Sequence, residues 1–428
     1  MFFRIIMNHI WVNIMTIRIL FLLLFSFTIG CNKSDKQFSE AQAQQAHKPI
    51  IKKSIPKTKS KTIVQSLEGF ELPISIDTSI QEYASFIGGL SHSSDRLRFI
   101  KNNGFYITHA KRMNDVFKRV KTKRLSQMQM FSQVELASDK IGNGTLLYPF
   151  SGPDALHAVT LFPHYKQYVF IAFEPPGSFR KFSTTDTLGV PDYLLSVQRT
   201  IQEVTNLSYF ITDRMRKYIT KENIDGALPL IALFLAETDH TLIGYGKRFI
   251  HADGSISESA KDTFSVPAQD IHDIYFKTGS SQEIQRLTYI YANLGNATYA
   301  GKIGFLKNAP LLSYLHSMQG FNTYVKSASY LMHNAGFSGI RDFVLKKTHS
   351  ILQDDTGVPF EYFDQKQWNF VFYGRYSRPI NLFAGRYSAK LDSAYIHPES
   401  IKKPLPFMMG YQLRRGDAQN VYKAIRKG

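Results

Sequence analysis

Three side chains in one stretch of this sequence have the types and spacing for proton chemistry: Asp154, His157 and Glu174. A carboxylate, an imidazole one helical turn on and a second carboxylate can divide general acid and base work between them. Thr145–Phe150 reads as a strand, and Ser151-Gly152-Pro153-Asp154 makes a turn into a short helix, with proline where its missing N–H costs little. Tyr168–Phe173 is a second strand, closed by Glu174 and the stiff Pro175-Pro176-Gly177. The connection of 17 residues, Ser151–Gln167, is long enough for a parallel crossover. If the strands are parallel, both carboxylates lie just past their carboxyl ends, where α/β sheets place ligands. The competing reading makes Asp154 a helix cap and pairs Glu174 with a surface arginine.

The same stretch carries a resemblance. Tyr148-Pro149-Phe150-Ser151-Gly152-Pro153-Asp154 and, later, Trp368, Tyr373-Gly374, Tyr376 and Pro379-Ile380 are similar to the Y-P-F-S-G-P-D and W-x4-Y-G-x-Y-x2-P-I boxes of a group of uncharacterised exported bacterial proteins. It covers roughly residues 140–415 and implies one folding unit and export, with no catalytic role for any residue.

Export is also read directly from the N-terminus. Arg18 precedes a 12-residue apolar run, Ile19–Gly30, which has the order of a secretory signal and is shorter than the about 20 residues a membrane span needs. Cys31, the only cysteine, follows Gly30. The junction resembles the lipobox of bacterial lipoproteins, with Thr28 where leucine is usual, and implies palmitate-type lipid on Cys31. Met15 gives a compact alternative start. A single cysteine leaves no disulfide and no thiolate metal site.

From Asn32 to Lys61 there are 8 Lys against Asp35 and Glu40 and no apolar periodicity, so residues 31–66 are expected to be a lipidated cysteine and disordered basic tether. The formal charge is +18, or +16 once Arg4 and Arg18 leave with residues 1–30. In an exported protein such charge points to a membrane through lipid on Cys31 and to anionic envelope polymers or headgroups, not to nucleic acid.

Residues 67–428 are expected to form a single globular α+β domain, a mixed sheet with flanking helices. Helices are predicted over 109–136, 192–218 (capped by Asp192), 227–236, 309–318, 322–335 and 339–352. Strands are predicted over 241–250, 270–277, 284–291, 368–376 and 407–413. The basic face Lys111, Arg112, Lys118, Arg119, Lys121, Lys123 and Arg124 is read first as solvated.

Other motifs fail on context. Asp355-Thr356-Gly357 copies the aspartic-protease tripeptide but is expected to end a helix. Ser178-x-x-Lys181 and Lys277-Thr278-Gly279 lack the element between them that penicillin-recognising enzymes carry. The 13 His form no H-x-x-x-H or H-E-x-x-H pair, which disfavours a zinc enzyme; no metal and no cofactor is expected. The functional expectation is a membrane-anchored envelope lipoprotein with a binding or structural role, outer-membrane facing periplasm or surface. The alternative is a periplasmic hydrolase using Asp154 and Glu174, with His157.

Overall fold

In the computed structural model the residues described are 66–67, 70–71, 76–91, 97–139, 144–182, 188–207, 224–258, 268–412 and 419–427, all within one unit, Thr62–Gly428. The signal run, Cys31 and nearly all of the tether lie outside them.

The fold is α+β, built on a mixed sheet of eleven strands. A short hairpin, β1 (Ser66–Leu67) and β2 (Phe70–Glu71), stands apart. The large sheet takes β3 (Thr145–Pro149), β4 (Gln167–Ala172), β5 (His240–Ile250), β6 (Ile256–Ser257), β7 (Gln269–Thr278), β8 (Ile284–Tyr291), β9 (Phe321–Val325), β10 (Thr348–Gln353), β11 (Trp368–Gly374), β12 (Ile401–Lys403) and β13 (Asn420–Arg426). Their order is 12-11-13-10-9-3-4-8-7-5-6. The centre, β10-β9-β3-β4-β8, is parallel throughout. Antiparallel strands close it on both sides, with β13 inserted between β10 and β11.

Among the described residues ten helices flank the sheet: α1 (Ile80–Gly88), α2 (Arg98–Lys101), α3 (Gly104–Val120), α4 (Ser126–Phe131), α5 (Ala155–Leu161), α6 (Val190–Leu207), α7 (Leu228–Glu237), α8 (Ala309–Ser317), α9 (Ser338–Lys347) and α10 (Ala389–Ile396). Alternation along the central strands sorts the core into two layers. Leu146, Tyr148, Tyr168 and Phe170 pack with α1, α3, α5, α6 and α7, whereas Leu147, Val169 and Ile171 pack with α8, α9 and α10. Because both faces are covered, these strands carry apolar residues at almost every position.

Several expectations change. The segments 322–335 and 339–352 are not simple helices: 321–325 and 348–353 are strands β9 and β10, and α9 ends at Lys347. Apolar runs buried on both faces do not reveal their period. Asp355-Thr356-Gly357 therefore follows a strand, not a helix. No strand forms at 407–412 among the described residues. Asp192 lies inside the first turn of α6, where its charge suits the dipole, and does not cap it. The helix predicted over 109–136 runs from Gly104 to Asp139 with two π turns, Lys121–Leu125 and Ser132–Leu136. Among the described residues no helix is long and apolar enough to cross a membrane.

Candidate functional site

The crossover from β3 through α5 to β4 lays its helix on one face, and that from β9 through α9 to β10 lays its helix on the other. From the β3/β9 pair the chain thus winds outward in both directions, which makes their carboxyl edge a topological switch point. The two strands also part there. Their ladder stops at Leu147 and Thr323, whereas that between β3 and β4 continues to Pro149 and Ile171. A crevice of about 70 Å³ results, lined among others by Phe150, Ser151, Glu174, Lys326, Ser327 and Ser329. It has room for a few water molecules or one small polar group.

The chain is bent sharply around this crevice. Phe150 (φ 60°), the first residue after β3, and Ser327 (φ 53°), Ser329 (φ 51°) and Tyr330 (φ 54°), just after β9, are all left-handed. Such residues cost on the order of 1–3 kcal/mol each and persist where surroundings over-determine them. Here the surroundings do. Asp354, just past β10, accepts from Ser327 N (2.9 Å) and Thr356 N (3.0 Å). Thr356 Oγ1 accepts from Ala328 N at 2.7 Å, and Tyr411 OH donates to Ser327 O at 3.0 Å. The Tyr330 hydroxyl donates to Asp355.

Beneath the crevice lies a buried charged cluster. Asp154 caps α5, accepting from His157 N at 3.4 Å, but the cap is its weakest contact. Its Oδ1 is 2.6 Å from His157 Nδ1, and its Oδ2 is 2.7 Å from Lys326 Nζ and accepts from Tyr148 OH at 2.9 Å. Lys326 Nζ is 3.0 Å from His157 Nδ1. Since a carboxylate cannot donate, the 2.6 Å contact puts a proton on Nδ1. Burial would raise Asp154, yet His157 and Lys326 outweigh it and hold the carboxyl well below the usual range. Burial pushes His157 down to about 4 against the pull of Asp154, so the ring is neutral at neutral pH. Burial also lowers Lys326, offset in part by Asp154, with Arg124 adding to the lowering. For the pair, the direction that stands is an ionised Asp154, because four donors converge on it.

Glu174 sits at the rim, 9% exposed, two residues past β4. Its position is fixed through its backbone: Tyr289 OH donates to Glu174 O at 2.7 Å. The next residues run against 225–228, with Ala227 N on Pro175 O and Leu228 N on Pro176 O, both 3.0 Å. Gly177 (φ 68°) and Gly226 (φ 83°) make this approach possible, since a Cβ on Gly226 would lie 2.4 Å from backbone atoms of Pro176 and Gly177.

Both sequence-predicted carboxylates thus line one crevice, and His157 joins Asp154 beneath it. Trp368 and Tyr373 of the second box do not line it: Trp368 packs on Phe363 and Arg426, and Tyr373 donates to Glu135. The residues missed were Lys326, Ser151 and Ser327. Ser151 and Ser327 keep buried hydroxyls with no partner among the described residues. Lys326 was legible as a cation ending Phe-Asn-Thr-Tyr-Val, had that run been read as a strand. Among the described residues no three His, Cys, Asp or Glu converge as metal ligands. No family model, curated protein or solved structure matches the chain.

Proposed function

We propose that this is an envelope lipoprotein, anchored through Cys31, whose globular part takes a hydroxyl of a hydroxyl-rich ring, a ribose or other sugar unit, into the crevice between β3 and β9, with the ring at its mouth. The observation that carries the binding reading is the pair of unpartnered hydroxyls, Ser151 and Ser327, facing a switch-point crevice rimmed by Glu174. Buried polar atoms without partners are rare and are expected where a ligand or water completes them. A carboxylate accepts from vicinal hydroxyls, and serine hydroxyls donate or accept as needed.

Support from fold is by analogy only. In doubly wound sheets an acidic residue about 20 residues beyond the glycine turn takes ribose hydroxyls, and Glu174 stands in that relation to Gly152. The turn lacks the G-x-G-x-x-G spacing and places Asp154 at the helix start, so a diphosphate is disfavoured. The test is calorimetric titration with adenosine, S-adenosylmethionine, NAD and a disaccharide. Glu174→Gln should weaken the ligand that binds by about tenfold, the effect of losing a charge-assisted hydrogen bond. If none binds, or Glu174→Gln binds as well as wild type, the reading fails.

The anchor is supported by the run Ile19–Gly30, by Cys31 being the sole cysteine and by the basic residues that follow. Labelled palmitate should enter wild type and not Cys31→Ala. Equal labelling would remove the anchor without touching the crevice.

A periplasmic hydrolase is the second reading, favoured by Asp154 and Glu174 lining one crevice. Asp154, however, is ionised and engaged by Tyr148, His157 and Lys326, so it has no proton to give and suits positioning of Lys326. Glu174 would be left as the proton-transfer group.

A further inference from the structure

A second cavity, of about 520 Å³, lies along the long helix and is lined by Arg119, Lys123 and Arg124 on one side and by Leu405, Phe407 and Met408 on another. Every charged residue lining it is a cation. Val116, Val120 and Pro406 extend the apolar part of the wall. A basic helix face turned to water needs neither concavity nor an apolar floor, so the solvated reading does not account for this one. Its size is that of a small-molecule site.

Two further observations bear on it. Arg124 donates through Nη2 to Thr205 O at 3.0 Å, while its Nη1 is buried with no partner among the described residues. Guanidinium groups offer paired donors to carboxylate or phosphate, and a buried orphan donor is costly unless something meets it. Arg124 also sits in the π turn Lys121–Leu125. Such turns are rare and are found mostly where a helix serves a functional site. The extra residue in the turn brings Lys123 and Arg124 to one wall with Arg119, one turn earlier.

We propose that this cavity is a separate binding site for an amphipathic anion, whose phosphate or carboxylate head meets Arg119, Lys123 and Arg124 and whose apolar body lies on Val120, Phe407 and Met408. The same chemistry belongs to a single-chain lipid phosphate and to a soluble aromatic or aliphatic acid.

The test is titration of the full chain with octyl phosphate below its micelle concentration, with inorganic phosphate and octanol as the separate halves. Vesicles with and without anionic lipid form a third arm. Octyl phosphate is expected to bind, more tightly than either half, and Arg119→Gln/Lys123→Gln is expected to weaken it by about tenfold or more. Both residues are exposed, so the variant should keep the wild-type urea midpoint. A soluble source predicts equal tightness for a phenyl-substituted carboxylate, and a lipid source predicts preference for the longer alkyl phosphate. Three results would overturn the site: no binding of octyl phosphate, binding unchanged in the double variant, or inorganic phosphate binding as well as octyl phosphate. Binding to anionic vesicles without binding to the monomer would also overturn it, by assigning the cations to a membrane surface.

Discussion

Asp154→Asn separates a helix cap from a charge anchor. Asparagine caps a helix about as well as aspartate, so a residue that merely capped α5 would lose about 1 kcal/mol at most. The side chains of Asp154 and Lys326 are each 2% exposed, and the substitution leaves Lys326 buried without its counter-charge. Breaking a buried pair from one side costs about 3–5 kcal/mol. The expected loss in urea unfolding at pH 7 is in that higher range, unless Lys326 sheds its proton first. That escape has its own signature. In wild type, the depressed Asp154 contributes stability that is present above its unfolded value near 3.9 and is lost as pH falls toward its folded value. In the variant, Lys326 would be neutral when folded and charged when unfolded, so stability should climb with pH toward the unfolded lysine value near 10.4. Asp154→Asn/Lys326→Met removes both charges and should recover most of the loss. A loss of about 1 kcal/mol, flat with pH and not rescued by the second substitution, would refute the anchoring role.

Two other outcomes follow from the same geometry. Ser327→Gly relieves a left-handed serine (φ 53°) and should raise the unfolding free energy measured in urea by about 1 kcal/mol, while weakening any crevice ligand that uses the hydroxyl. Glu237, on α7, has a buried Oε1 with no partner among the described residues and a carboxyl pushed up to about 8 by burial, which Lys121 only partly offsets. The folded state then keeps a proton that the unfolded chain loses above about pH 4.3, so wild type weakens as pH rises through that window. Glu237→Gln should gain on wild type from pH 4 to pH 8, and parallel curves would show the carboxyl to be solvated.

Much of the fold was legible because its pieces announce a period. Strand β8 alternates with aromatics, α7 is an uninterrupted apolar run, and the Ser151–Gln167 crossover was long enough to permit the parallel geometry that puts Asp154 and Glu174 on one edge. The other half of the edge was hidden. Strands β9 and β10 are buried on both faces, so no alternation betrays them, and reading them as helices removed Lys326, Ser327 and Asp354 from any sheet terminus. The same helix expectation hides the strand that precedes Asp355-Thr356-Gly357. In the structure its Asp355 is at a strand end, its carboxyl raised to about 7 by burial and by the charge of Asp354. It nonetheless serves Tyr330 and Asn420, holding the strained loop rather than facing the crevice. The ion cluster itself joins residues 169 positions apart, and no local pattern reports such a contact.

The placement of β13 has a consequence for the order in which this sheet can form. The strand comes from residues 420–426 yet sits inside the sheet, pairing with β10 on one side and β11 on the other. Until it arrives, both of those strands are open edges, able to pair with another chain. The sheet cannot be finished before residues 420–426 are in place. Removal of residues 420–426 should accordingly leave two raw edges in the middle of the sheet, with the protein recovered as aggregate.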